Sequence, residues 1–167
     1  MINLSKNRET SSAGVDRVRK LTRTAIVHGP VERVFSRLDD PSALPFLYNC
    51  IADVSDVRRS GRHVGDTFRG TFSVVGLQFD VTFTRTEHAP PQKIAERFEG
   101  AMNGTMIFNL EPQGSKTRVT LEASYEISRG LFSRIVNKLL FQQVAEKNAD
   151  RILENLAILV EATEAKA

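Results

Sequence analysis

The chain has 167 residues, of which 41% are hydrophobic and 26% charged, a composition typical of a soluble globular domain. A single domain of this length can bury a sizeable core, and the lone cysteine, Cys50, excludes a disulfide scaffold. Cys50 and three histidines that are far apart in the sequence (His28, His63 and His88) do not supply the four close ligands of a structural zinc site. We therefore expect no metal and no cofactor.

The net charge of +3 is concentrated near the N-terminus. Residues 1–23 contain two acidic residues and six basic ones. The basic residues are Lys6, Arg8, Arg17, Arg19, Lys20 and Arg23. We interpret residues 1–16 as a flexible arm before a domain over 17–167. The arm is either a solvated leader or a contact for an anionic membrane or an acidic partner. No aromatic residues alternate with its charges, so we expect no nucleic acid partner. Membrane-span and signal-peptide patterns are absent, which favours a cytoplasmic location.

The apolar pattern divides the chain into strands and helices. Alternation over 17–27 predicts a strand that ends at Gly29-Pro30, and Pro30 suits the first turn of a helix. A second short helix is predicted over 42–48. Turn residues then separate six predicted strands, which are 51–58, 66–74, 77–87, 93–101, 105–111 and 117–127. The short connections predict an antiparallel meander, and a helical period from 130 to 162 predicts a long C-terminal helix.

Turn positions also predict the strand register. A two-residue turn at Val75-Gly76 places Phe72 opposite Phe79 and Phe68 opposite Phe83. Across the next turn, the same inward face pairs Phe83 with Phe98.

The later registers depend on other turns. A hairpin turn at Asn103-Gly104 predicts Phe98 opposite Phe108, and the last hairpin then predicts Phe108 opposite Val119. One sheet face thus carries six phenylalanines, opposed to small alanines on the C-terminal helix.

This order of elements resembles the helix-grip fold of the START-like superfamily, and in particular its polyketide cyclase/dehydrase and lipid-transport group. The residues that carry the resemblance are Gly29-Pro30-Val31-Glu32-Arg33-Val34-Phe35, Asp39-Asp40-Pro41, Val64-Gly65-Asp66 and Gly114-Ser115-Lys116-Thr117-Arg118-Val119. It implies an α+β fold in which a curved antiparallel β-sheet wraps around a long C-terminal helix, with two short helices after the first strand. It also implies a cavity between sheet and helix for a small hydrophobic ligand, such as a lipid, a quinone or a polyketide-like molecule.

We expect this cavity to be lined by the inward face of the sheet and by the C-terminal helix. The candidate ligand-binding residues are Phe68, Phe72, Phe79, Phe83, Arg85, Glu96, Phe98, Met106, Phe108, Leu121, Tyr125, Leu139, Ala145 and Ala149. The alternative is a filled core, because an α+β domain of this size needs apolar residues with or without a ligand.

Three polar residues of this face leave the function open. Arg85 opposite Glu96 is either a salt bridge at the end of the sheet or a head-group site, and Tyr125 is either core or a polar contact. The absence of a clear catalytic set favours a non-enzymatic binder or carrier. The alternatives are a cyclase or dehydratase that uses these residues, and a docking protein similar to the accessory protein of carbon monoxide dehydrogenase. The sequence assigns neither catalytic residues nor an oligomeric state.

Overall fold

The computed structural model describes residues 5–7 and 18–164. Eight strands form one antiparallel sheet in the order β1-β2-β8-β7-β6-β5-β4-β3. The strands are β1 Ser5–Asn7, β2 Arg19–His28, β3 Ile51–Arg58, β4 Thr67–Val74, β5 Leu77–Ala89, β6 Lys93–Gly100, β7 Met102–Gln113 and β8 Lys116–Ile127. The helices are α1 Val31–Asp39, a 3-10 turn Pro41–Ala43, α2 Leu44–Leu47, α3 Arg129–Arg134 and α4 Lys138–Glu164. This is the α+β helix-grip architecture, and the predicted strands and short helices are confirmed.

The short strand β1 departs from the predicted flexible arm, because it pairs antiparallel with β2 at the edge of the sheet. The remainder of that arm lies outside the described residues. Arg23, one of the six basic residues near the N-terminus, lies in β2 outside the arm and is buried, and its Nε donates to Asp150 Oδ1 of α4 at 2.6 Å. Within 18–164, no helix is long and apolar enough to cross a membrane.

The turn at Val75-Gly76 and the register between β4 and β5 are confirmed. Phe72 pairs with Phe79, and Phe68 pairs with Phe83. Phe83 also pairs with Phe98 on β6, as predicted.

The predicted hairpin turn at Asn103-Gly104 is wrong, because both residues lie inside β7. Phe98 pairs with Gly104, and Phe108 pairs with Ile94 of β6 and not with Phe98. A Cβ at Gly104 would lie 2.0 Å from the Ser124 carbonyl oxygen and 2.8 Å from the Phe98 ring. Glycine is therefore needed here because the neighbouring strand and the Phe98 ring lie too close for a side chain, which is a common reason for glycine inside a strand.

The register of the last hairpin also differs from the prediction. Phe108 pairs with Leu121 and Leu110 pairs with Val119, a shift of two residues. Because the shift is an even number, the same side chains still face inward.

The predicted single C-terminal helix is interrupted between α3 and α4. Ile135 has extended backbone, and the Asn137 side chain accepts a hydrogen bond from Leu140 N at 2.9 Å, which caps the start of α4. Beyond this break, α4 covers the concave face of the sheet with fully buried side chains such as Leu153, Leu156 and Val160. Gly29 permits this packing, because a Cβ there would lie 2.5 Å from Val160 Cγ1.

Candidate functional site

A cavity of about 100 Å³ lies between the sheet and α4. Strand β2 and strands β4 to β8 line it, and α4 closes it with small side chains at Ala145 and Ala149. Its walls are apolar apart from a few groups. The lining residues are Leu21, Tyr48, Cys50, Phe72, Val74, Phe79, Val81, Phe83, Phe98, Met102, Met106, Leu121, Ala123, Tyr125, Phe141, Ala145, Asn148, Ala149 and Ile152.

The structure places nine of the fourteen candidate ligand-binding residues around this cavity. These are Phe72, Phe79, Phe83, Phe98, Met106, Leu121, Tyr125, Ala145 and Ala149. Phe68, Arg85 and Glu96 line a separate small pocket near α1, and Phe108 is buried in the core. Leu139 is 66% exposed at the start of α4, so its predicted place in the cavity is wrong. The prediction assumed one continuous helix, and the break before α4 changes which residues face the sheet.

Sequence reasoning missed a second group of lining residues that precede the meander or follow the helix break. Tyr48 follows α2, and Cys50 lies just before β3. Phe141, on the first turn of α4, completes the wall against Phe79 with ring centroids 6.5 Å apart. Helical spacing from α4 could have identified Phe141, since it lies eight residues before Ala149 on the same face.

The two cavity tyrosines are neutral phenols. Burial raises the pKa of Tyr48 well above its ordinary value, and the nearby Glu96 carboxylate raises it further. Burial also raises the pKa of Tyr125. The Tyr48 hydroxyl donates to Met106 Sδ at 2.9 Å, a weak acceptor that a ligand oxygen could replace. Each phenol is therefore available as a hydrogen-bond donor inside an apolar cavity.

The Cys50 thiol is protonated and buried. Burial raises its pKa to about 11. A thiol with so high a pKa is a poor nucleophile at neutral pH, and Cys50 serves as a small apolar side chain in the wall.

The predicted pair of Arg85 and Glu96 is confirmed as a buried salt bridge. Arg85 Nη2 donates to Glu96 Oε1 at 3.1 Å, and Arg85 Nη1 donates to Asp39 Oδ1 at the end of α1. Burial raises the pKa of Glu96, although the Arg85 guanidinium acts in the opposite direction. This pair lies outside the cavity lining, so it does not present its charges to a cavity ligand.

A β-bulge in β5 places a histidine beside this pair. Arg85 pairs with Glu96 and Glu87 pairs with Ala95, so Thr86 is an extra residue on β5. The bulge reverses the alternation, and His88 then faces inward, where its Nε2 lies 3.2 Å from Asp39 Oδ2. The His63 ring stacks on the His88 ring with centroids 4.2 Å apart. Two histidines that are distant in the sequence are thus adjacent in the structure.

Comparison with known proteins identifies the family. Residues 18–161 match the family described as polyketide cyclase/dehydrase and lipid transport. No curated protein sequence matches the chain.

Solved structures share the fold at low sequence identity. The Zhui aromatase/cyclase from Streptomyces sp. R1128 is similar at 17% identity and a TM-score of 0.73, over 87% of this chain and 94% of that one. A START superfamily protein from Mycobacterium smegmatis is similar at 16% identity and a TM-score of 0.71, over 86% of this chain and 98% of that one. A protein from Thermus thermophilus has 21% identity and a TM-score of 0.70, over 87% of this chain and 99% of that one. From the family match over most of its length, the chain belongs to the polyketide cyclase/dehydrase and lipid transport family.

Proposed function

We propose that the protein binds a small, mainly apolar ligand in the cavity between the sheet and α4. The observation that carries this proposal is the cavity itself, whose wall of phenylalanines and aliphatic side chains is left unfilled opposite Ala145 and Ala149. A cavity with mainly apolar walls favours an apolar guest over water, because water finds few polar partners in it. Binding would be driven by removal of apolar ligand surface from water, at about 25 cal/mol per Å² before association costs.

The polar groups of the lining define the chemistry of the ligand. Tyr48 and Tyr125 are protonated phenols, and the Asn148 side chain both donates and accepts. A ligand with one or two carbonyl or hydroxyl oxygens on an apolar body would satisfy them. A ligand larger than a single ring needs more than about 100 Å³, so its entry requires the wall to open.

A cyclase or dehydratase activity is the second candidate, and the two buried phenols favour it. Phenols held protonated can donate to a ligand carbonyl oxygen and stabilise negative charge that develops there. Among the described residues, however, the cavity lining includes no carboxylate and no imidazole that could serve as a general base. Binding without turnover is therefore the function that the geometry supports best.

Native mass spectrometry of the purified chain, followed by solvent extraction, tests the proposal. We expect a co-purifying lipid, quinone or polyketide-like molecule, or saturable binding of such molecules added to empty protein. Ala149→Trp fills the cavity and should reduce binding at least tenfold, whereas Ala162→Trp, at an exposed position of the same helix, should not. Equal binding by both variants would contradict the cavity as the site. Tyr48→Phe and Tyr125→Phe distinguish ligand binding from cyclase or dehydratase activity. If the protein only binds its ligand, these variants lose affinity, and if it is an enzyme, they lose turnover.

A further inference from the structure

Three potential metal ligands converge on the side of the sheet near α1, outside the apolar cavity. Asp39 at the end of α1, His63 in the loop between β3 and β4, and His88 on β5 each present a ligand atom, and these atoms lie within 4.8 Å of one another. Imidazole and carboxylate together form a donor set that suits zinc and neighbouring divalent transition metals.

The His88 side chain provides the observation that points to a ligand. The side chain is 10% exposed, and among the described residues its buried Nε2 has no hydrogen-bond partner, although Asp39 Oδ2 is only 3.2 Å away. Buried polar atoms without partners are rare, because the loss of solvation is not recovered. Two ligands at 2.0–2.1 Å from a tetrahedral zinc ion lie about 3.3 Å apart. The nitrogen and oxygen are therefore spaced as two ligands of a shared cation.

The surrounding contacts leave one oxygen of Asp39 free for this role. Arg85 Nη1 binds Asp39 Oδ1, which orients the carboxylate and keeps Oδ2 directed at His88. Partners of this kind, which hold a metal ligand in place without touching the metal, are a general feature of such sites. One arginine faces two carboxylates, Asp39 and Glu96, so the cluster favours an added positive charge whenever both are ionised.

The backbone holds both histidines against α1. The bulge at Thr86 turns His88 inward, where its ring makes an edge-to-face contact with the Phe35 ring of α1 at a centroid distance of 5.3 Å. Gly65 N donates to the Arg85 carbonyl at 2.8 Å, and Arg85 N donates to the Asp66 carbonyl at 2.9 Å. These two bonds fasten the loop that carries His63 to the strand that carries His88.

We propose that Asp39, His63 and His88 bind one divalent transition metal ion, zinc or a chemically similar cation. Both imidazoles can ligate the same ion only if the exposed His63 ring turns out of its parallel stack on His88, which its exposure permits. Three protein ligands leave one position for water or an exogenous anion. The ion would join the loop between β3 and β4 to α1.

The test is titration of the untagged, chelator-treated full chain with zinc chloride by calorimetry, and with cobalt(II) by visible absorption. We expect one ion per chain and a cobalt spectrum typical of four-coordinate nitrogen and oxygen ligation. His63→Ala and His88→Gln should each weaken binding about tenfold or more, whereas His28→Ala, which removes the exposed third histidine, should not change it.

Two results would contradict the proposed metal site. Absence of stoichiometric binding in the wild type, or equal binding by His63→Ala and His28→Ala, would do so. His63 is exposed, so its variant keeps the test valid even if replacement of the buried His88 disturbs folding. The Ala149→Trp variant should bind zinc as the wild type does, which separates this inference from the proposed cavity function.

Discussion

Strand β5 contributes to two regions of opposite character. Phe79, Val81 and Phe83 face the cavity. A few residues further along, Arg85 and His88 belong to a polar cluster beside α1, together with Asp39 and Glu96. In the cavity, affinity and stability depend on the size and shape of side chains. In the cluster they depend on charge compensation, because each buried charge needs a partner. The two regions can share one sheet face because the charged side chains of the cluster do not line the cavity.

Removing the central charge of the cluster is expected to have the largest effect. Arg85→Met leaves the buried Asp39 and Glu96 carboxylates without their shared partner, and loss of one partner of a buried pair costs about 3–5 kcal/mol. Urea titration of the wild type and the variant measures this loss as a difference in the free energy of unfolding. Arg97→Met is the control, because its pair with Glu99 is exposed and exposed pairs contribute about 0–1 kcal/mol. Equal losses in both variants would show that the Arg85 pair is not buried in solution.

The alkylation rate of Cys50, which lines the cavity, should report whether the cavity is closed to solvent. Because burial raises the pKa of Cys50 from 9.0 to about 11, alkylation by iodoacetamide at pH 8 should be about a hundredfold slower in the folded protein than in guanidinium. The rate should rise about tenfold per pH unit up to about pH 11, since the thiolate is the reactive form. A bound ligand should slow it further. A rate that levels off near pH 9 would mean that the thiol is solvated.

Glu96 allows the cluster to be tested by pH. Burial raises its pKa, while Arg85 opposes the increase, so the folded state holds the Glu96 proton at pH values where the unfolded chain has released it. The stability that this proton contributes is complete below the ordinary value of 4.5 and is lost as the pH rises through the elevated folded pKa. Urea unfolding across this range should show wild type losing stability relative to Glu96→Gln. The exposed Glu99→Gln should show no such trend, and a wild type that gains stability relative to Glu96→Gln as the pH rises would contradict the assignment.

The fold was predictable from the sequence where local rules decide the geometry. The turn at Val75-Gly76 fixed the register of β4 and β5, and alternation fixed the inward face. The register errors in the other strands were shifts of an even number of residues, so they moved pairings such as Phe108 with Val119 without turning side chains outward.

The site was predictable only in part, because two of its determinants are not local and the sequence signal of a third was masked. The Cβ clash at Gly104 involves a neighbouring strand, and the bulge at Thr86 has no sequence signal that alternation can detect. The break before α4 did have a signal, because Asn137 is a good N-cap residue, but the apolar stripe masked it. Phe98 was placed correctly in the cavity wall, whereas Tyr48 was missed and His88 was not included in any candidate site.

The smallest expected effect belongs to the residue that the helix break displaces from the cavity. Leu139→Ser should change the free energy of unfolding by about 0.5 kcal/mol or less and leave ligand binding unchanged, because Leu139 is 66% exposed. Two residues further along, Phe141 is 3% exposed and lines the cavity, so Phe141→Ala is the buried control and should destabilise the fold in urea and alter binding. A continuous helix would instead turn Leu139 toward the sheet. Weaker ligand binding by Leu139→Ser would therefore show that the break closes when the cavity is filled.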